Sequence, residues 1–134
     1  MVKKIKIASK LNNLRIVENA IDEVNIMIGI NHQYYGNILV STLEAVNNAI
    51  LHGNNSDPDK FVDIEIRYNE NTLMIKVIDE GNGFRPDEVA DPTGPGNIQK
   101  PNGRGVFLMS RLADNIKYSK KGNAVTMTFK NIVS

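Results

Sequence analysis

Glu44 and Asn48 have the residue types and the spacing needed for phosphoryl chemistry. They lie in a stretch of helical periodicity and would project from one side of a helix, one turn apart. A carboxylate and an amide placed in this way can act as a proton acceptor and a magnesium ligand beside a triphosphate, because protein-bound Mg²⁺ prefers oxygen ligands. Taken alone, this helix favours a simpler interpretation, a polar face exposed to solvent.

A second candidate group follows an apolar stretch, where Asp79 begins a turn that contains Gly81 and Gly83. The two glycines permit positive φ and close backbone approach, which leaves room for a flat ring. A carboxylate at the end of a strand can accept a hydrogen bond from the amino group of adenine. The ordinary alternative is that Asp79 only caps its own turn.

The third group, Gly103, Arg104 and Gly105, opens a further predicted helix. Backbone amides at a helix N-terminus bind phosphate, and the guanidinium adds a fixed positive charge. The alternative is a flexible hinge before a core helix. The sequence contains neither a P-loop nor the His-Arg-Asp catalytic loop of eukaryote-type kinases, so those architectures are excluded.

Hydrophobic periodicity predicts the elements that must hold these groups. Alternation with period two predicts strands over residues 4–7, 62–68, 73–78, 116–118 and 125–129. Spacings of three and four predict helices over residues 11–28, 33–52 and 105–114. Gly29 and Gly53 are expected to end the first two helices. The apolar face of the second helix is expected to consist of Tyr35, Leu39, Leu43, Val46, Ala49 and Ile50.

This order of elements predicts one α/β (α+β) domain over residues 1–134, a two-layer sandwich in which helices cover one face of a mixed, mostly antiparallel sheet. Residues 84–102 are rich in glycine and proline and lack periodicity. A long irregular segment in a compact domain is usually functional, so these residues are predicted to form a lid over the site.

Composition restricts the partners and the compartment. Sixteen basic and fifteen acidic residues give a formal charge of +1, so no net field attracts nucleic acid or an anionic membrane. The chain has no cysteine, which suits a reducing cytosol. No run approaches the roughly 20 apolar residues of a membrane span. We therefore expect a cytoplasmic protein that binds neither nucleic acid nor membrane.

The order of the three groups, with the irregular segment between the second and third, resembles the Bergerat-fold (GHKL) ATPases. Within that superfamily, the phrases EAVNNAILHG and GRGVFLMSRLAD look like the stand-alone anti-sigma factor serine/threonine kinases of bacteria. The resemblance extends over residues 5–129. It implies the Bergerat ATP-binding fold, with ATP and Mg²⁺ as cofactors.

The resemblance also implies a role for each residue in the first two groups. Glu44 would be the catalytic base that takes the proton from a substrate serine, and Asn48 would bind the magnesium that bridges the phosphates. Asp79 would receive the adenine amino group, while Gly81 and Gly83 would shape the floor of the ATP pocket.

In the third group, the resemblance implies that Gly103, Arg104 and Gly105 would hold the phosphates of ATP under the lid. The chain departs from the family at one place, where relatives usually carry Gly-Thr-Thr before the last strand and this sequence has Gly122-Asn123-Ala124. Asn123 would then have to replace the threonine that lies near adenine.

By the same resemblance, the protein substrate would be a small anti-sigma-factor antagonist. Relatives of this kind also bind a sigma factor and form homodimers, and the sequence leaves both open for this chain. An alternative function is a nucleotide-dependent binding module without physiological phosphoryl transfer. A detached catalytic domain of a histidine kinase is disfavoured, because no segment of the sequence offers a phosphoacceptor helix.

Overall fold

Five strands and two long helices make up most of the structure, a computed structural model that describes residues 1–81 and 112–134. The strands are β1 (Val2–Ala8), β2 (Phe61–Asn69), β3 (Thr72–Ile78), β4 (Asn115–Tyr118) and β5 (Ala124–Lys130). The helices are α1 (Leu14–Ile28), preceded by a short 3₁₀ turn (Leu11–Asn13), and α2 (His32–Asn48).

In the described part of the chain, the strands form one sheet in the order β1-β2-β3-β5-β4, with every neighbouring pair antiparallel. The two helices pack on one face of this sheet. This arrangement confirms the predicted two-layer α/β (α+β) sandwich. It also places the ends of β3 and β4 and the start of β5 next to one another, which matters for the site.

A hairpin joins β2 and β3, which correspond to the strands predicted over residues 62–68 and 73–78. Glu70 and Asn71 form a two-residue connection, and both have positive φ, 49° and 56°. Two consecutive left-handed residues give the turn whose twist matches that of antiparallel strands. The resulting register pairs Ile64 with Val77 and so places two buried side chains on the same face of the sheet.

The core lies between that face of the sheet and the helices. Alternate residues of the central strands are buried, as expected for a sheet with one covered face. The largest side chains with almost no solvent exposure are Ile21, Ile38, Ile50, Ile64, Ile66, Leu73, Ile75, Met127 and Ile132. Most are β-branched residues, which pack well on a pleated surface.

Helix α1 ends as the sequence predicts. Gly29 adopts φ 72° and ψ 64°, a left-handed conformation that glycine adopts without steric cost. Its amide donates to the Asn25 carbonyl at 2.8 Å, and the Asn25 side chain accepts from the Ile30 amide at 3.0 Å. Asn25 and Gly29 therefore satisfy the end of the helix together.

The predicted apolar face of the second helix is confirmed in part, since Val46, Ala49 and Ile50 are buried. Tyr35, Leu39 and Leu43 are only partly buried. The fully buried positions in the helix are Ile38, Ser41, Thr42, Ala45 and Val46. The buried stripe includes two hydroxyl side chains, which hide it from a search for apolar periodicity.

The second helical segment ends at Gly53, close to the predicted end, but its last turn is not a regular α-helix. The α-helix ends at Asn48, and a wider π-helical turn (Ala49–Gly53) follows it directly. Within this turn, the Asn54 amide donates to the Ala49 carbonyl at 2.8 Å. Gly53 is thus the last residue of a π turn rather than the stop of a regular helix, and such turns are frequent at functional sites.

Some predictions fall outside the described residues. They are the lid over residues 84–102 and most of the third helix, over residues 105–114. Within residues 1–81 and 112–134, no helix combines the length and apolarity needed to cross a membrane.

Candidate functional site

Helix α2 presents Glu44 and Asn48 from a partly buried position. Both residues are of intermediate exposure, so this side of the helix is covered rather than bare. Within the described residues, Asn48 Nδ2 is buried without a hydrogen-bond partner, and no residue there pairs with the Glu44 carboxylate. Because an unpaired buried amide costs free energy, it marks a position where a ligand can bind.

Ser41 extends this line of polar atoms and was not anticipated from the sequence. It has no solvent exposure, and its Oγ finds no partner among the residues described. Residues seven apart lie on the same side of a helix, so Ser41 and Asn48 belong to one stripe. The neighbouring Thr42 differs, since its hydroxyl donates to the Ile38 carbonyl at 2.7 Å. A serine interrupting an otherwise apolar stripe was the signal available in the sequence.

Asp79 lies immediately after β3, where its side chain caps the turn. Its Oδ1 accepts a hydrogen bond from the Gly81 amide at 2.8 Å, so the capping role is present. No donor to Oδ2 occurs among residues 1–81 and 112–134. One carboxylate oxygen therefore organises the turn while the other remains available as an acceptor for a ligand.

Gly53 and Gly81 allow the π turn and the Asp79 turn to pack closely. A Cβ atom added to Gly53 would overlap the carboxyl group of Asp79, and one added to Gly81 would overlap the Gly53 carbonyl oxygen. The requirement at Gly81 is therefore close backbone approach, since its φ is not among the positive values. The contact brings the end of the helix that carries Glu44 and Asn48 against Asp79.

Burial changes the electrostatics of Asp79. Loss of solvation raises the pKa of its carboxyl group, while the hydrogen bond from the Gly81 amide and the charges of Lys121 and Lys60 act in the opposite direction. A poorly solvated acceptor gains more from a ligand donor than an exposed one does. These features fit recognition of an amino group by Asp79.

Asn54 is a second residue of the site that sequence reasoning missed. It is fully buried, and its Nδ2 donates to Ser9 Oγ at 2.8 Å and to the Phe61 carbonyl at 3.0 Å. Its Oδ1 accepts from the Glu80 amide at 2.8 Å. No local pattern indicated this role, because Asn54 begins a polar loop and its partners come from the end of β1, the start of β2 and the turn after β3.

Asn123 lies directly beside Asp79. The Asp79 amide donates to the Asn123 carbonyl at 2.8 Å, and Asn123 Nδ2 donates to the Asp79 carbonyl at 3.1 Å. Asn123 Oδ1 is also within hydrogen-bond distance of Ser119 Oγ, at 3.2 Å. Asn123 thus holds the backbone of Asp79 from both sides of its Cα atom.

The structure accordingly brings Asp79 and Gly81 against the π turn that follows α2. Asn54 and Asn123 hydrogen-bond to the backbone of the same Asp79 turn. The other sequence-predicted site residues, Gly83, Gly103, Arg104 and Gly105, lie outside the described residues.

The donor set fits ATP and magnesium chemically. Asn48 supplies a side-chain amide, whose oxygen is a ligand that Mg²⁺ accepts, and its NH₂ group has no hydrogen-bond partner among the described residues. Asp79 supplies an acceptor for an exocyclic amino group. Because Gly53 has no side chain, the Asp79 carboxylate packs directly against backbone atoms.

Comparison with known sequences identifies relatives of this architecture. The sequence model of the histidine kinase-like ATPase domain matches residues 7–129. Serine-protein kinase RsbW of Oceanobacillus iheyensis is 23% identical over 96% of this chain and 85% of its own length. Anti-sigma F factor of Clostridium beijerinckii is 29% identical over 88% of this chain and 79% of its own length.

Comparison with solved structures gives the same fold. The crystal structure of the RsbU and RsbW domains of Rv1364c from Mycobacterium tuberculosis matches 97% of this chain, with a TM-score of 0.66 and 19% identity. The chain spans 32% of the length of that longer protein. At this identity the match establishes the fold alone.

Proposed function

This chain belongs to the histidine kinase-like ATPase domain family, and from that premise we propose that it is a cytoplasmic serine/threonine protein kinase of the anti-sigma factor type. It uses Mg-ATP to phosphorylate a small anti-sigma-factor antagonist. The names of the relatives support this choice within the family, since they include serine-protein kinase RsbW and anti-sigma F factor.

The contact between Gly53 and Asp79 is the observation that carries the proposal. It joins an acceptor suited to adenine to the end of the helix that bears a carboxylate and an unpaired amide. With adenine bound at Asp79, the phosphates of the same nucleotide would lie near α2, where Asn48 offers an oxygen ligand. A nucleotide site and a proton acceptor are therefore available within one small region.

In the proposed reaction, Glu44 accepts the proton of the substrate serine hydroxyl. A lone pair of the serine oxygen forms the bond to the γ-phosphorus, while the bond from that phosphorus to the bridging oxygen breaks and its electrons leave on ADP. Positioning and charge neutralisation supply most of the catalysis in such transfers. The partly buried Glu44 carboxylate, unpaired within the described residues, suits the role of base.

Asn48 would hold magnesium through its side-chain oxygen, and the remaining ligands would come from phosphate and water. Bound Mg²⁺ would neutralise the negative charge of the phosphates. Gly103, Arg104 and Gly105 would contact the same phosphates, with residues 84–102 as the lid, in agreement with the family resemblance. Gly83 would complete the floor of the pocket beside Gly81.

Binding of a sigma factor is a further part of the proposal, suggested by the relative named anti-sigma F factor, and formation of a homodimer is a part that rests on the family resemblance. A nucleotide-dependent binding module without transfer is the competing function. Glu44 separates the two, because a module that only binds nucleotide needs no base.

The decisive experiment incubates the purified protein with Mg-ATP and the protein encoded by a neighbouring gene, and then maps phosphoserine or phosphothreonine by mass spectrometry. We expect one modified residue on the partner and none when Glu44→Gln replaces the parent. Binding of ATP and partner without any phosphorylation would reject the kinase and leave the binding module.

A further inference from the structure

The peptide group between Asp79 and Glu80 is held at both ends by side-chain amides. Its carbonyl, which belongs to Asp79, accepts from Asn123 Nδ2 at 3.1 Å. Its N–H, which belongs to Glu80, donates to Asn54 Oδ1 at 2.8 Å. The two asparagines come from different parts of the chain: Asn54 follows the π turn after α2, and Asn123 immediately precedes β5.

The two hydrogen bonds together restrain the backbone conformation at Asp79. A peptide group is planar and rigid, so its orientation fixes the backbone rotation that follows the Asp79 Cα atom. The rotation before that atom is restrained as well, because the Asp79 amide donates to the Asn123 carbonyl at 2.8 Å. The direction of the Asp79 Cα–Cβ bond is thereby fixed, and only the side-chain torsions remain.

The carboxylate has little remaining freedom once this direction is set. Oδ1 is bound by the Gly81 amide at 2.8 Å, and the carboxyl group lies against Gly53. Oδ2, the oxygen nearest to Gly53, has no hydrogen-bond donor within residues 1–81 and 112–134 and is the one that can meet a ligand. An acceptor held in this way discriminates sharply between a ligand that presents a donor and one that presents another acceptor.

We propose that Asn54 and Asn123 are positioning residues that aim the Asp79 carboxylate and thereby set the preference of the site for adenine over guanine. The proposal rests on the proposed function, since it takes Asp79 as the acceptor for the adenine amino group. Guanine carries an oxygen where adenine carries that amino group, so a fixed carboxylate rejects it.

Asn54 acts only through the turn. Both hydrogens of its NH₂ group are engaged by Ser9 Oγ and the Phe61 carbonyl, and the residue has no solvent exposure. It therefore has no contact to offer a nucleotide. Asn123 is partly exposed, but its Nδ2 is directed to the Asp79 carbonyl.

The test measures ATP and GTP affinity by calorimetry for the parent, Asn54→Ala and Asn123→Ala, without any protein substrate. We expect the ratio of ATP to GTP affinity to fall by on the order of tenfold in each variant, the size expected when one hydrogen bond of about 1.4 kcal/mol no longer distinguishes the ligands. The double variant should lose little more than either single variant, since the two amides hold one peptide.

Asn71→Ala is the matched control. The Asn71 amide also clamps a backbone segment, since it donates to the Val133 carbonyl and accepts from the Val133 amide, both at 2.8 Å. It lies in the β2–β3 turn, away from Asp79. This variant should lose stability in urea like the others, yet keep the parent's ratio of ATP to GTP affinity.

Three outcomes separate the possibilities. An unchanged ratio in Asn54→Ala and Asn123→Ala, with ATP still bound, overturns the positioning role and leaves the proposed function intact. A parent that binds no ATP overturns the proposed function and this inference together. If Asn54→Ala does not fold, Asn123→Ala decides alone, because its side chain is partly exposed and its loss should be tolerated.

Discussion

The carboxyl group of Asp79 occupies the space that a side chain at Gly53 would fill. This contact joins the π turn after α2 to the turn after β3, and so couples the helix carrying Glu44 and Asn48 to the acceptor of the site. The geometry leads to four predictions, each with a control drawn from the same chain.

Gly53→Ala should displace the Asp79 carboxylate and weaken ATP binding. The added methyl group would overlap atoms of that carboxylate, which must move to relieve the contact. Gly36→Ala is the matched control, because nothing lies within 4 Å of its added Cβ. In a helix interior, alanine should raise stability there by about 0.5–1 kcal/mol. Calorimetry with ATP and urea unfolding of both variants provide the measurements. Equal ATP affinity in Gly53→Ala and the parent would contradict the contact.

Asp79→Asn should raise stability and weaken ATP binding, because the amide carries no charge to bury and is a poorer acceptor for the adenine amino group. Burial raises the pKa of Asp79 above its ordinary value of 3.8, so just above that pH the folded protein retains a proton that the unfolded chain has lost. The contribution of Asp79 to the parent's free energy of unfolding therefore falls as pH rises through this window. Asp79→Asn does not titrate there and should gain stability relative to the parent over the same range.

The measurement for Asp79→Asn is urea unfolding at a series of pH values from 3.5 upward, together with ATP calorimetry at pH 7. Asp22→Asn, a change at an exposed carboxylate of α1, should follow the parent in both assays. Parallel stability curves for Asp79→Asn and the parent would show that burial does not disfavour the charged form of Asp79.

Glu44→Gln should retain ATP binding and lose phosphoryl transfer. The amide keeps the size of the side chain but cannot accept the serine proton, so we expect transfer to slow by on the order of 10²-fold or more. The control is Glu18→Gln, which alters an exposed carboxylate of α1 and should transfer at the parent's rate. Single-turnover assays with the partner protein measure both. Parental transfer by Glu44→Gln would remove the general base from the mechanism.

Asn48→Ala should weaken ATP binding in the presence of magnesium and leave the stability of the ligand-free protein almost unchanged. Its Nδ2 has no partner to lose within the described residues, whereas the lost oxygen would cost a metal ligand. We expect on the order of a tenfold loss of Mg-ATP affinity, equivalent to about 1.4 kcal/mol.

The control for this variant is Asn37→Ala, a change at an exposed position of the same helix. ATP affinity is measured with Mg²⁺ and with a chelator. If Asn48→Ala and the parent gain equally from Mg²⁺, Asn48 is not a ligand.

Local patterns in the sequence were sufficient for the strands and the end of α1. Alternation over the strands and a glycine in the left-handed region reflect interactions between residues close in sequence. The same approach predicted α2 and part of its buried face but missed Ser41 and Thr42, which are polar residues in a buried stripe. Burial there depends on what packs against the helix, which the helix sequence does not encode.

The order of the chemical groups, from Glu44 and Asn48 to Asp79 and Gly81, was also available from the sequence and was enough to suggest a nucleotide site. Only the tertiary structure decided that Asn54 and Asn123 hold the Asp79–Glu80 peptide from its two ends. These contacts join segments that are far apart along the chain, so no local periodicity or propensity reports them. They form because folding of the sheet brings the end of β3 and the start of β5 to the turn that follows α2.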